Sequence, residues 1–244
     1  MNSSKKSILN SNFTYLAAFV LPVIMMMALY YTRGIFPWGN ECYLRSDMYH
    51  QYAPFFSELW HKIRNGESLT YSWNIGMGTN FTSLFAYYLA SPSNWFVALF
   101  LQKYTIEIMN AFIILKIAGS SLSLTYYLTK HNNNKHVIAA IFGMFYGMSG
   151  FIAAYSWNIM WLDCVILIPL IMLGLERLVN ENRCIFYCIT LGLCIFTNYY
   201  IAIMVCLSVV IYYVVLMIAY NGIKSPMQYV KKFINFCVYS LLAG

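Results

Sequence analysis

The chain has few charged residues, and this shortage decides its class. Asp, Glu, Lys and Arg make up only 9% of the 244 residues, whereas 61% are hydrophobic. A soluble domain has about a quarter of its residues charged. So small a share cannot cover a water-facing surface, which excludes a soluble domain. The composition predicts an integral membrane protein of several transmembrane helices, with the lipid bilayer as its surroundings.

Acidic residues are especially scarce. Eight Asp and Glu stand against 15 Lys and Arg, which gives a net charge of +7. In a soluble protein this excess would indicate nucleic-acid binding. Here the basic residues lie in short loops between apolar runs, so they report membrane topology, and we exclude nucleic acid as a partner. The sequence also lacks P-loop and Rossmann motifs, which fits a substrate that needs no cytosolic nucleotide.

The sequence has no recognisable metal-ligand pattern. Six of the seven cysteines lie in or beside apolar runs, where we expect them to act as small packing residues. Cys184 and Cys188 are four residues apart on a predicted helix, but they have no further thiolate or histidine partner nearby. The cofactor is therefore unknown: a divalent cation is possible, but nothing in the sequence supports it.

Long apolar runs are what the chain has in abundance. A bilayer core of about 30 Å needs roughly 20 apolar residues of helix. Six complete spans are predicted, two of them within the last of these runs: 14–32, 107–129, 137–156, 162–178 and 184–220. No small-residue cleavage site follows the first run, so we expect an uncleaved span. Residues 1–244 then form a single all-α transmembrane domain, a polytopic helical bundle.

Basic clusters indicate how these spans are oriented, because Lys and Arg in short loops stay on the cytoplasmic side. The clusters are Lys5/Lys6, Lys130/Lys135, Arg177/Arg183 and Lys224/Lys231/Lys232. All are cytoplasmic if the N-terminus is cytoplasmic and the run 80–101 does not cross. Proline and polar residues interrupt that run at 91–94, so we predict a re-entrant or interfacial segment.

Two further segments complete the predicted organisation. The apolar stretch from Phe233 is too short to span, and it predicts a truncated last helix belonging to a longer protein. The loop 33–79 lies on the outer face, and within it residues 54–65 carry an apolar stripe at helical spacing. We predict a short amphipathic helix on the outer surface, ended by Gly66. Its polar face holds Glu58, Lys62 and Arg64.

Asp47 precedes this helix, in a run of titratable and hydrogen-bonding side chains. One interpretation is a helix cap, in which the carboxylate accepts a backbone N–H bond. The other is a catalytic base that takes a proton from an acceptor hydroxyl, with Arg45 and His50 orienting it or binding phosphate. Other residues of the outer loop are candidates for substrate binding: Tyr49, Gln51 and Asn74.

Further candidates lie at the outer ends of the later spans. Asp163 follows the tight turn that contains Trp157 and Asn158, and it is either a hydrated interfacial residue or a site carboxylate facing Asp47. Lys116 lies inside a span, where an ammonium needs an anion; Asp163 and a lipid phosphate are the candidates, with snorkelling to the interface as the alternative. Another outer turn holds two polar residues, with an interfacial belt as the alternative role: Asn198 and Tyr199.

Five segments resemble the YfhO family of bacterial multi-pass membrane proteins, in order and with little interruption between about Gly34 and Tyr220. They are SDMYHQYAPFFSELWHKIRNGES (46–68), YSWNIGMGTNF (71–81), AYYLASPSN (86–94), GFIAAYSWNIMWLDCVILIPLIMLGLERL (150–178) and TNYYIAI (197–203). The family is much longer than this chain. The resemblance therefore implies that the 244 residues are its N-terminal portion.

The resemblance also implies a function. The family looks like a branch of the GT-C glycosyltransferases, whose members are implicated in adding sugars to lipoteichoic acid outside the cell. Such proteins have an aspartate in the first outer loop, followed by amphipathic interfacial helices, and Asp47 matches that position. The implied donor is a polyprenyl phosphate sugar, whose phosphate would bind basic residues such as Arg45, His50 or Lys116.

Two other functions stay open at this stage. A transporter or flippase of lipid-linked sugars would use Lys116 and Asp163 to line a route rather than to flank a reaction centre. A truncated, non-catalytic remnant is the third reading. Under every reading we expect a multi-pass protein of the bacterial plasma membrane, with a cytoplasmic N-terminus.

Overall fold

The computed structural model describes residues 2–132, 137–219 and 225–244, with side chains described from Asn12 onward on the first helix. The charges predicted at Lys5, Lys6, Lys135 and Lys224 lie outside the described side chains. Helices make up 79% of the structure and strands are almost absent, which confirms the all-α class. The long helices are α1 (Asn2–Thr32), α4 (Thr105–His131), α7 (Leu162–Glu181), α9 (Tyr199–Ala219) and α10 (Pro226–Ala243). The shorter ones are α2 (Ala53–Asn65), α3 (Phe81–Leu84), α5 (Val137–Gly147), α6 (Gly150–Tyr155) and α8 (Ile185–Thr197).

Four helical stretches in the described part of the chain are long and apolar enough to cross a membrane. They are Asn12–Thr32, Gln102–His131, Val137–Tyr155 and Tyr199–Ala219. The two other predicted spans differ: α7 has 20 residues but carries several charges, and α8 has only 13 residues. The helical break between α8 and α9 falls at Asn198, within the predicted turn. The number of crossings therefore stays a prediction for α7 and α8.

The run 80–101 contains no continuous long helix. It consists of α3, a π-helical turn from Phe85 to Leu89, and a 3-10 helix from Pro92 to Leu99. Ser91 has extended backbone angles (φ −54°, ψ 127°), as expected before a proline. No piece of this run approaches the roughly 20 helical residues that a crossing needs.

The surface helix α2 forms as its apolar stripe predicts, and it ends at Gly66, which adopts the left-handed φ of 65°. Its predicted polar face is partly wrong, because Glu58 and Lys62 are buried. A two-stranded hairpin, β1 (Tyr71–Ser72) and β2 (Thr79–Asn80), follows the helix. Ser72 Oγ donates to Glu58 at 2.6 Å, and Lys62 Nζ donates to the carbonyl oxygen of Tyr71 at 2.8 Å. The segment that follows the helix therefore supplies hydrogen-bond partners to both charges.

The central helix is α4, which packs against α1, α5 and α7. Its contact with α5 is close: a Cβ at Gly143 would lie 2.1 Å from Thr125 Oγ1, and one at Gly147 2.8 Å from the carbonyl oxygen of Ile117. One apolar cluster joins α1, α2 and α4 to the start of α7, and a second joins α7 to α8, α9 and α10. The last of these helices begins at Pro226, earlier than the predicted Phe233.

Helix α7 connects two polar regions of the bundle. Asp163 lies in its first turn and Glu176 lies near its other end. The two are 176 − 163 = 13 residues apart, and at 1.5 Å per residue this separates them by roughly 20 Å. We call these regions the Asp163 end and the Glu176 end.

Candidate functional site

Asp47 lies directly before the π-helical turn Met48–Tyr52 and is partly buried. It occupies the N-cap position, but its side chain makes no capping hydrogen bond, so the interpretation of Asp47 as a helix cap is wrong. Within the described residues its carboxylate has neither a hydrogen bond nor an ion pair. The preceding Ser46 has a φ of 46°, a conformation that is rare for a residue with a Cβ. Asp47 therefore presents an unpaired carboxylate on an unusual backbone turn.

Two tyrosines lie in the electrostatic field of Asp47. The hydroxyl of Tyr52 donates to Asn158 Oδ1 at 2.8 Å, and that of Tyr88 donates to Gln51 Oε1 at 3.1 Å. Burial, and after it the negative charge of Asp47, raises the pKa of Tyr52. Both phenols therefore stay protonated at neutral pH and serve as hydrogen-bond donors.

An aromatic wall surrounds this group. The rings of Tyr52 and Trp157 are stacked at 6.3 Å with an interplanar angle of 13°, and Tyr52 also lies 5.4 Å from Tyr88. Asn158 is buried beside them, and its Nδ2 has no hydrogen-bond partner in the structure. The wall thus combines apolar ring faces with an unused amide donor.

The start of α9 is joined to the same region. Asn198 Nδ2 donates to the carbonyl oxygen of Tyr87 at 3.1 Å, and the rings of Tyr87 and Tyr199 lie 5.6 Å apart. Asn198 Oδ1 in turn accepts the backbone N–H of Ile201. The predicted candidates Asn198 and Tyr199 therefore contact the run 80–101, Asn198 through the backbone of Tyr87 and Tyr199 through its ring.

Lys116 and Asp163 form an ion pair with an Nζ to Oδ2 distance of 2.6 Å. Lys116 also donates to the carbonyl oxygen of Ile159 at 3.2 Å. Of the partners considered for Lys116, the structure selects Asp163, and both side chains are largely buried. The pair fixes α4 to the turn that carries Trp157 and Asn158.

Three predicted site residues lie apart from this group. Asn74 donates to Glu58 Oε2 at 3.0 Å, on the side of α2 that the hairpin covers. Tyr49 and His50 are exposed, with their rings edge to face at 5.2 Å. Tyr49 lines a separate groove with Gln102.

Arg45 lies at a cavity that has a volume of about 640 Å³. Arg33, Glu41 and Tyr43 line the same cavity. The hydroxyls of Tyr43 and Ser156 are hydrogen-bonded at 2.6 Å, and Ser156 directly precedes Trp157. The cavity therefore adjoins the Asp47 group across this bond.

A second carboxylate network occupies the Glu176 end, and the sequence analysis missed it. Glu176 Oε1 accepts hydrogen bonds from Tyr127 at 2.7 Å and from Tyr212 at 2.5 Å, while His131 Nδ1 lies 2.9 Å away. Tyr127 and His131 are four residues apart and share a helix face. That spacing, with a Glu inside an apolar run, is the signal that could have revealed it.

Metal binding has no support in the geometry of the described residues, which contain no group of three or more His, Cys, Asp or Glu side chains able to hold an ion.

The family model described as bacterial membrane protein YfhO matches residues 17–244. No curated protein matches the chain. No solved structure matches it either.

Proposed function

Since this chain belongs to the YfhO family of bacterial membrane proteins, we propose that it transfers a sugar from a polyprenyl phosphate donor to a cell-envelope acceptor such as lipoteichoic acid. The reaction takes place at the Asp163 end of the bundle, on the outer face of the plasma membrane. The observation that carries the proposal is the unpaired carboxylate of Asp47, which lies beside an aromatic wall.

Asp47 acts as the base. Its carboxylate takes the proton of an acceptor hydroxyl as the oxygen attacks the anomeric carbon of the donor sugar. The new C–O bond forms while the bond between that carbon and the phosphate oxygen breaks. The leaving polyprenyl phosphate keeps the bonding electron pair, and the proton stays on Asp47. A carboxylate already tied up in hydrogen bonds would be a weaker base, so the lack of partners supports this role.

The aromatic wall suits a sugar. The ring of Trp157, which is partly exposed and stacks on the buried Tyr52, offers an apolar face with a polar edge. Such a ring matches a sugar with its own apolar and hydroxyl-bearing sides. Asn158 Nδ2 is an unused donor next to them. We assign substrate contact to Trp157 and Asn158. Tyr52 supports Asn158 through its hydrogen bond, and Tyr88 and Gln51 hold the wall in place through theirs.

The ion pair of Lys116 and Asp163 supports an enzyme over a conduit. A conduit for charged lipid head groups needs its charged residues free to exchange partners along the route. Here the ammonium is held by Asp163 and by the carbonyl oxygen of Ile159. We therefore assign Lys116 and Asp163 to positioning the turn that carries Trp157, not to phosphate binding.

The test uses purified full-length protein in detergent, a polyprenyl phosphate sugar and an acceptor glycolipid, with no sealed vesicle present. Wild-type protein should transfer the sugar, and Asp47→Asn should lower the rate by about 10² to 10⁴. Glu67→Gln is the matched control, because Glu67 is exposed and paired with His61. Absence of transfer with every polyprenyl phosphate sugar, together with donor flipping in proteoliposomes, would refute the enzyme and favour a flippase.

A further inference from the structure

Helices α6, α7 and α9 enclose a groove that differs from the cavity at Arg45 because it is uncharged. Its volume is about 380 Å³, within the range of ligand pockets. Phe151 of α6, Val165 and Ile168 of α7, and Ile201 and Met204 of α9 are among its apolar lining residues. No charged side chain lines it in the part of the chain that the structure describes. We call it the α7–α9 groove.

The α7–α9 groove has the shape that a hydrocarbon chain needs. Its lining runs from Val165 to Met172 on α7 and from Ile201 to Ser208 on α9, about two turns or roughly 10 Å of each helix. Met204 is about half exposed, so the groove is open along its side. Helix α9 is apolar and long enough to cross a membrane. A chain can therefore enter the groove sideways from the bilayer.

Aromatic rings lie at the end of this groove that belongs to the Asp163 end of the bundle. Trp161 is the residue before α7, and its ring stacks on that of Tyr200 at 6.2 Å. On its other side, Trp161 lies 6.0 Å from Tyr155, which in turn lies 5.3 Å from the groove residue Phe151. This row of rings joins the apolar groove to the turn that carries Trp157.

The same turn holds two hydrogen-bond donors that nothing in the described structure uses. Trp161 Nε1 is buried without a partner, and an indole N–H can only donate. Asn158 Nδ2 is the second unused donor, on a side chain that is only 2% exposed. Rings of an interfacial belt keep their polar atoms at the wet side, so a belt does not explain a buried N–H. A ligand that brings oxygen atoms to this turn would satisfy both donors.

The charges at the turn indicate what kind of oxygen this is. Asp163 is neutralised by Lys116 at 2.6 Å. A phosphate is recognised by free cationic side chains, and neither the groove nor the turn offers one among the described residues. An uncharged sugar presents hydroxyl oxygens to N–H donors and apolar ring faces to Trp and Tyr. The head that fits is therefore a neutral sugar, and the groove adds a hydrocarbon chain.

We propose that the α7–α9 groove and its aromatic end bind a membrane lipid with an uncharged sugar head. One chain lies in the groove, and the head accepts hydrogen bonds from Trp161 Nε1 and Asn158 Nδ2. The role of this lipid as the acceptor of the transferred sugar rests on the proposed function; its binding does not.

The aromatic row gives this lipid a connection to Asp47. The ring of Tyr200 lies 6.4 Å from that of Tyr87, and Tyr87 lies 4.6 Å from Tyr88. Tyr88 is one of the two tyrosines in the electrostatic field of Asp47. A head of more than one sugar can follow these rings toward the carboxylate, while its chain stays in the groove. Trp161 is therefore a binding and positioning residue for the acceptor.

The first test measures lipid binding by native mass spectrometry of the purified full-length protein in detergent. A diacylglycerol with an uncharged disaccharide head should bind, and plain diacylglycerol and phosphatidylglycerol should each bind at least about tenfold more weakly. Trp161→Phe removes the N–H and should abolish the preference for the sugar head without changing the binding of plain diacylglycerol. Trp95→Phe, at an exposed tryptophan that does not line the groove, should keep the preference.

Two results of this test would overturn the proposal. Equal binding of plain diacylglycerol by the wild-type protein would show that the sugar head is not recognised. Equal binding of phosphatidylglycerol would show that the head need not be an uncharged sugar.

The second test fills the groove. Met204 lines it and the adjacent Ile203 does not, although both are exposed on α9. Met204→Trp should weaken binding of the glycolipid by about tenfold or more, and Ile203→Trp should leave it unchanged. Unchanged binding by Met204→Trp would place the chain outside the groove and overturn the proposal. Glycolipid binding that depends on Trp161 and Met204, without any sugar transfer, would refute the proposed function and leave this inference standing.

Discussion

Asp47 and Glu176 are both carboxylates in a chain with few acids, but their surroundings differ. Glu176 is buried on α7 and accepts hydrogen bonds from Tyr127 and Tyr212, with His131 as a third partner. Asp47 lies outside the long helices and has no partner among the residues that the structure describes. A buried charge without partners costs several kcal/mol, so Glu176 must be satisfied for the bundle to be stable. Asp47 is partly exposed and avoids that cost, which leaves it available for proton transfer.

The two ends also differ in what their aromatic residues do. At the Glu176 end the tyrosine hydroxyls point at the carboxylate and tie α4 and α9 to α7. Near Asp47 the buried Tyr52 donates its hydroxyl to Asn158 and stacks its ring on Trp157. The same residue type therefore ties long helices together at one end and packs the aromatic wall of the candidate site at the other.

The largest expected effect is all-or-none and concerns which side of the membrane each end faces. Glu67 and Glu181 are both exposed, one in the loop 33–79 that we predict to be outside and one at the end of α7. In a cysteine-free background, Glu67→Cys should react with a membrane-impermeant maleimide in intact cells. Glu181→Cys should react only after permeabilisation, because the basic residues near it stay cytoplasmic. Labelling of both positions in intact cells would show that the Asp163 end and the Glu176 end do not face opposite sides of the membrane.

The second effect is the loss of a buried ion pair. Lys116→Met leaves Asp163 buried without its partner and should lower the free energy of unfolding by about 3–5 kcal/mol. Adding Asp163→Asn should restore part of the loss, because no unpaired charge is left. Lys103→Met, exposed beside Tyr104, is the control, and thermal unfolding in detergent is the measurement. An additive double variant would show that the two charges do not interact.

These contacts show how far the sequence could be read. The apolar stripe and Gly66 define α2 because both are local features, and the proline at 92 interrupts the run 80–101 for a local reason. The hairpin over Glu58 and Lys62 was not predictable, since helical periodicity says only which face is polar and not what will cover it. The pairing of Lys116 with Asp163 was one of three options, beside a lipid phosphate and snorkelling to the interface, and the packing of α4 on α7 brings the pair together.

The third effect tests the satisfied carboxylate. Tyr212→Phe removes one hydrogen bond to Glu176 and should lower stability by about 1.5–3 kcal/mol, the range for bonds to a charged group. Tyr213→Phe is the neighbouring control, because Tyr213 stacks on Phe236 through its ring. Melting temperatures of the two variants decide the point. Sugar transfer per folded molecule should stay at the wild-type level in both.

The smallest effect concerns the aromatic wall. Tyr52→Phe keeps the ring and loses the bond to Asn158, which should lower transfer by up to about tenfold, equivalent to roughly 0.5–1.5 kcal/mol. Tyr49→Phe should have no effect, since Tyr49 is exposed and directed into a different groove. Initial rates at several acceptor concentrations measure both variants. A larger loss of transfer with Tyr49→Phe than with Tyr52→Phe would show that the substrate binds near Tyr49 and not at the aromatic wall.

One measurement tests the central contrast most directly: sugar transfer per folded molecule for Asp47→Asn and Glu176→Gln, in the same detergent and at the same donor concentration. Our account predicts that Asp47→Asn folds normally and loses transfer by at least about 10², whereas Glu176→Gln melts at a lower temperature and transfers at close to the wild-type rate below it. Normal transfer by Asp47→Asn would contradict it. A Glu176→Gln variant that is fully folded but no longer transfers the sugar would also contradict it.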